Sequence, residues 1–160
     1  MKPIQERRIL ALSLDWQGFG FAAFDNRDDL IDFGTRSLRW AVTVPFEEKL
    51  RLLLDANQVE TLVVVEPKTA MRKRIMATIA KVAKAETIPL VLVSGTDIHN
   101  AFAPVNQSKY QIAQAVAGRY PELRFRLPSP RKAYESEKFG ITIFEAAAAG
   151  LVYYGLRIAP

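Results

Sequence analysis

Residues 9–24 read ILALSLDWQGFGFAAF. The run from Ile9 to Leu14 is apolar apart from Ser13, and it stops on Asp15. A short continuous apolar run of this kind reads as a strand buried on both faces. Gly18 and Gly20 then open a second apolar run almost at once. A connection that short joins antiparallel neighbours, because a parallel return needs a crossover of a dozen or more residues. The stretch therefore predicts a buried hairpin whose first strand ends on a carboxylate.

Working outward, the polar cluster DNRDD at 25–29 makes a turn. LIDFGTRSLRW at 30–40 returns as a third strand, which completes an antiparallel meander. At 44–57, Pro45 near the start and apolar Phe46, Leu50, Leu53 and Leu54 predict a helix. VETLVVVEP at 59–67 is valine-rich and reads as a fully buried parallel strand, stopped by Pro67. A helix over 69–86 follows, with Thr69 as N-cap and Ile75, Ile79 and Val82 on one face. TIPLVLVSG at 87–95 reads as another buried strand and 96–104 as a helical turn. Residues 107–121 read as a short helix capped by Ser108, and 122–140 as a proline-containing loop. A long helix then runs to about Leu156. The order β-β-β-α-β-α-β-α-α implies one α/β domain over 1–160. Its mixed five-stranded sheet combines a three-strand antiparallel meander with two parallel strands, and helices cover both faces.

The 160 residues include no cysteine, which excludes disulfides and thiolate metal sites. The single histidine, His99, excludes any site that needs two. No apolar run approaches the ~20 residues of a membrane span, and the charged MKPIQERRIL, which lacks a long apolar stretch, is not expected to be a signal peptide. The expectation is a cytoplasmic protein with no membrane partner. A net charge of +5 favours a polyanion, nucleic acid first.

Two buried strands, then, end on acids, Asp15 and Glu66. If they are parallel neighbours, both carboxylates emerge at one sheet edge, where ligands of open α/β sheets sit. A third acid, Glu145, interrupts the apolar final helix, with no basic residue near it in sequence. The AAAAG run at 146–150 has little bulk, so this helix can lie close on the sheet and carry Glu145 toward the other two. Clustered carboxylates repel unless something holds them. A divalent cation does so, and Mg²⁺ takes one or two carboxylates plus phosphate and water. Each acid also has a plainer reading: a strand-end turn residue for Asp15, a solvated loop acid for Glu66, a favourable helix-dipole charge for Glu145.

Basic residues surround these positions. Lys68, Arg72, Lys73 and Arg74 follow Glu66, and Arg131 and Lys132 precede the last helix. Trp16 and Phe19 flank Asp15 and could stack on a base. The ordinary use of such residues is a solvated helix face or packing. His99 reads as a surface residue, Tyr153 and Tyr154 as packing, and Asp28 and Asp29 as turn chemistry.

ILALSLDWQGFGFAAF resembles the first hairpin of the RuvC-type Holliday junction resolvases, members of the ribonuclease H-like superfamily. LVVVEPKT resembles their strand-end glutamate motif, and QSKYQIAQAVAGRYP the segment where a lysine precedes a helix near the DNA. ESEKFGITIFEAAAAGLVYY resembles their final helix, with an acid before a run of alanines. The resemblance runs in the same order over nearly the whole chain. It implies a metal-dependent endonuclease (a hydrolase of DNA recombination and repair) that cuts structured DNA, Holliday junctions among them. Asp15, Glu66 and Glu145 match the catalytic, metal-binding acids, and Lys109 matches a lysine that approaches the phosphate backbone. Lys68, Arg72, Lys73, Arg131, Lys132 and Trp16 are the further candidate nucleic-acid contacts. The implied chemistry uses two Mg²⁺ or Mn²⁺ ions about 4 Å apart around the scissile phosphate. Asp15 would bridge them, and products would carry a 5′ phosphate and a 3′ hydroxyl. Two cuts across a branched DNA imply a homodimer.

Two positions depart from the family pattern. Thr142 stands where a second acid of the last helix is usual, and Glu145 stands where an aspartate is usual. They imply an alternative: a weakened or inactive ribonuclease H-like domain that binds nucleic acid or a partner protein. A third class, the sugar kinase and actin-like phosphotransfer domains, shares the topology but needs a duplicated domain.

Overall fold

The computed structural model describes residues 3–37, 43–67, 69–103, 108–130, 132 and 138–155. Its centre is the hairpin. β1 (Ile9–Asp15) pairs antiparallel with β2 (Gly18–Asn26) from Ile9 opposite Phe24 to Asp15 opposite Gly18. β2 pairs antiparallel with β3 (Asp29–Ser37). On its other side β1 runs parallel to β4 (Thr61–Val65), which runs parallel to β5 (Leu90–Val93). The spatial order is β3-β2-β1-β4-β5, a mixed five-stranded sheet.

Period-two alternation divides the sheet between two cores. Leu10, Leu12, Leu14, Phe19, Phe21, Leu62 and Val64 face α1 (Thr43–Ala56) and α2 (Ala70–Ala85). Those helices answer with Phe46, Leu50, Leu53, Leu54, Ile75, Ile79 and Val82, the residues whose spacing predicts them. Ile9, Ala11, Ala22, Phe24, Val63 and Val65 face α3 (Gly95–Ala101), α4 (Lys109–Arg119) and α5 (Ile141–Tyr153). The strands β1 and β4 are thus buried on both faces, as their continuous apolar runs require.

Three sequence expectations change. Among the described residues β5 is an edge strand of the sheet, and its Leu92 is half exposed. The predicted helical turn is a seven-residue helix, α3. A capping box starts it: Ser94 Oγ accepts from Asp97 N–H at 3.0 Å, and Ser94 N–H donates to Asp97 Oδ2 at 3.3 Å. The predicted loop opens with a 3₁₀ helix, Pro121–Arg126, anchored by the buried Leu123. Ser108 caps α4 as expected, its Oγ accepting from Gln111 N–H at 3.2 Å. The third strand's expected end at 38–40 and the last helix's end at 156 lie outside the described residues.

The last helix lies flat on the sheet because it is thin. All four alanines of 146–149 are fully buried between β1, β2 and β4 on one side and α4 on the other. The contact is closest at its ends. A Cβ added to Gly20 of β2 would fall 2.3 Å from Thr142 Oγ1 and 2.6 Å from the Ile143 nitrogen. One added to Gly150 would fall 2.7 Å from the Phe24 ring. Two aromatic hydroxyls tie this layer down at the opposite edge of the sheet. Tyr154 donates to the Arg7 carbonyl at 2.6 Å, and Tyr120 to the Arg27 carbonyl at 2.5 Å.

Candidate active site

The parallel pairing of β1 and β4 sets Leu12 beside Val64. Asp15 and Glu66 follow a few residues on, at the carboxyl ends of these adjacent strands. Asp15 is half buried, and its Oδ1 accepts from Gln17 N–H at 3.2 Å across the turn. Its place in the β1 alternation is that of Ile9 and Ala11, the side on which α5 lies. Glu66 is exposed one residue past the strand, its N–H bonded to the Val93 carbonyl at 2.8 Å.

Glu145 reaches the same edge on α5. It lines a cavity of about 350 Å³ with Val65 at the end of β4, Thr96 and His99 of α3, and Lys109 and Ile112 of α4. The sequence places no basic residue beside it, but the fold does. Lys109 Nζ stands 3.4 Å from Glu145 Oε1, with the two side chains 43% and 24% exposed. The partner comes from thirty-six positions away, so no local spacing announces it. His99, exposed as expected, belongs to the rim of this cavity.

Thr142 does not act as an outward-facing donor. It is 2% exposed, wedged against Gly20, and its hydroxyl donates to the Phe139 carbonyl at 2.7 Å just ahead of α5. Trp16 is 66% exposed on the β1–β2 turn, next to Asp15. Lys73 is exposed near the start of α2, on the face opposite α5, and Lys132 is exposed ahead of α5. Lys68, Arg131 and the side chain of Arg72 lie outside the described residues.

The acids bear on a cation in two ways. The donor set is carboxylate oxygen, the chemistry of Mg²⁺ and Mn²⁺, and Glu145 already faces a cation in the Lys109 ammonium. Yet among the described residues no three acidic or histidine side chains are gathered closely enough to hold a metal. The strand ends and the helix bring the three backbone positions to one edge; the side chains themselves are not drawn together there.

A mixed sheet in the order 3-2-1-4-5, with acids at the carboxyl ends of the two central parallel strands, is the ribonuclease H-like class of α/β fold. Within that class, the fold is similar to that of RuvC. It superposes on RuvC of Thermus thermophilus with a TM-score of 0.66 at 13% identity, covering 92% of this chain and 95% of that one. The Thermus thermophilus RuvC in complex with a Holliday junction substrate gives 0.66 at 13% identity, over 93% and 94%. The yeast mitochondrial Holliday junction resolvase Ydc2 gives 0.61 at 12% identity, over 93% and 79%. No family model and no curated protein matches the sequence.

Proposed function

We propose that this chain is a metal-dependent endonuclease that hydrolyses phosphodiester bonds in branched DNA, Holliday junctions among its substrates. One observation carries the reading: Asp15 and Glu66 stand at the carboxyl ends of adjacent parallel strands, and α5 brings Glu145 to the same edge. The RuvC-like fold and the net charge of +5 support it.

Asp15, Glu66 and Glu145 are the residues that would hold Mg²⁺ or Mn²⁺. Bound there, the metal would supply a water of lowered pKa and charge stabilisation at the phosphate. The chain's own residues do the positioning. Asp15 is held by its turn contact at the carboxyl end of a buried strand. Lys109 pairs with Glu145 and is part-exposed, so its ammonium would also be available to a DNA phosphate. Trp16, Lys68, Arg72, Lys73, Arg131 and Lys132 would contact the strands. A homodimer would set two such sites on a junction.

A second reading has a specific observation behind it. Thr142 spends its hydroxyl on the Phe139 carbonyl just ahead of α5 and is buried. The acid usual at that position in the resolvases is missing, so the same fold could bind branched DNA without cutting it.

The test is cleavage of labelled four-way junction, linear duplex, single-stranded DNA and RNA–DNA hybrid in Mg²⁺ and Mn²⁺, beside Asp15→Asn. The expected result is cutting of the junction that is lost in Asp15→Asn, with the melting temperature of the variant unchanged. Junction binding without cutting by folded wild-type protein selects the second reading. Neither binding nor cutting refutes both.

A further inference from the structure

Phe125 is 95% exposed, more than any other large apolar side chain among the described residues. Its neighbours Arg124 and Arg126 are exposed too. We propose that this arginine–phenylalanine–arginine segment is a second nucleic-acid contact, in which Phe125 stacks on an unpaired base and the flanking guanidinium groups meet phosphates. It rests on the DNA-binding reading above and adds a contact that the acid edge does not explain.

The segment is built to hold the ring out. It is part of the 3₁₀ helix that Pro121 opens. Leu123 is fully buried, and its N–H bonds to the Tyr120 carbonyl at 2.9 Å. Leu127 closes the turn on the Arg124 carbonyl at 3.3 Å and packs against the α5-side core. With both flanks anchored, Phe125 projects from a fixed backbone, so little ordering remains to be done on binding. The Arg126 guanidinium stands 5.9 Å from the Phe33 ring, at the open β3 edge of the same layer.

Location and charge favour a nucleic acid. The Arg126 carbonyl lies 3.9 Å from the place of a Cβ on Gly140, the residue that precedes α5. Glu145 is five residues further, about 7.5 Å along a helix axis. A strand lying at Glu145 could therefore reach Phe125 within a few nucleotides. Lys132 and Lys138 add positive charge along the same connection, and Lys138 is held by Ser129 Oγ at 2.6 Å. Glu122 is the acid beside them among the described residues, and the sequence of the connection also holds Glu135 and Glu137. A second copy of the chain fits this surface poorly. Two-fold pairing would set Arg124 and Arg126 against their own copies. One ring also buries about 150–250 Å², against roughly 800 Å² per partner in a stable interface. A base offers a π-face and a phosphate together.

The test uses the full chain in EDTA. Binding is followed by anisotropy with an oligo(dT) strand, a blunt duplex and a four-way junction, the junction also carrying 2-aminopurine at its crossover. Phe125→Ala is expected to weaken oligo(dT) and junction binding about 5- to 150-fold, the value of one stacked base. It should also restore the 2-aminopurine fluorescence that the wild type quenches and leave duplex affinity unchanged. Phe125→Trp should retain binding. Arg124→Glu with Arg126→Glu should weaken all three and reduce the salt slope. Because Phe125 is solvent-exposed, these variants keep the fold. If Phe125→Ala binds like wild type while Asp15→Asn abolishes cleavage, the inference fails and the endonuclease reading stands. Wild-type protein that binds none of the three DNAs overturns both. If Phe125→Ala instead halves the mass of the DNA-free protein in sedimentation, the surface belongs to a second copy and the inference is overturned.

Discussion

Replacing Gly20 by alanine should damage the fold and the site together, and the size of the effect can be worked from distances. The new Cβ would meet Thr142 Oγ1 at 2.3 Å, the Thr142 carbonyl carbon at 2.4 Å and the Ile143 nitrogen at 2.6 Å. Two of these are backbone atoms of α5 and cannot rotate away. Relief to an ordinary contact of about 3.5 Å requires the start of the helix to withdraw by roughly 1 Å. Overpacking costs about 1–3 kcal/mol where side chains can adjust; with backbone in the way, about 3 kcal/mol is the expected value. For a chain of this size that lowers the melting temperature by about 6–12 °C. Gly118→Ala is the matched control. Nothing lies within 4 Å of its added Cβ, and the position is in the last turn of α4. Alanine there should be neutral or stabilise by up to about 0.5 kcal/mol, below the helix-interior propensity difference. Thermal unfolding followed by circular dichroism reads both. Cleavage by Gly20→Ala, measured well below its melting temperature, should fall about 100-fold, the cost of a 1 Å displacement of a catalytic group. A melting temperature for Gly20→Ala within 2 °C of wild type would refute the account of how α5 seats on β2.

Two other outcomes follow from buried groups. Burial pushes the Tyr154 phenol well above its ordinary value near 10, and burial also raises Tyr120. The unfolded phenols ionise near pH 10, whereas the folded ones resist. The stability they contribute is therefore full below pH 10 and is lost as pH rises from there toward the folded values. Tyr154→Phe should be less stable at neutral pH by about 1 kcal/mol, for the lost bond to the Arg7 carbonyl. It should also lose less stability between about pH 9 and 11 in guanidinium titrations; parallel losses in variant and wild type would contradict this. Thr142→Asp restores an acid at a buried position. It should lower the melting temperature in EDTA and give a larger rise in Mg²⁺ than wild type does. An equal Mg²⁺ response would exclude position 142 as the missing ligand.

The sequence alone determined the hairpin, because ILALSL and FGFAAF leave no polar face to expose and no room for a crossover between them. It also determined the parallel β4, the amphipathic α1 and α2, and the strand-end positions of Asp15 and Glu66. All of these follow from local periodicity and from a residue's distance along its own strand. Other features required the tertiary structure. β5 reads as buried in sequence, yet Leu92 is half exposed at the edge of the described sheet, since apolar character cannot say where a strand falls in the sheet order. Thr142 is distinguished by the backbone of β2 at Gly20, which touches it only after the chain has closed. Lys109 meets Glu145 because α4 and α5 lie side by side in one layer. Pairings of this kind depend on how layers stack, and helix and strand periods describe only which side of an element is apolar, not what arrives to cover it.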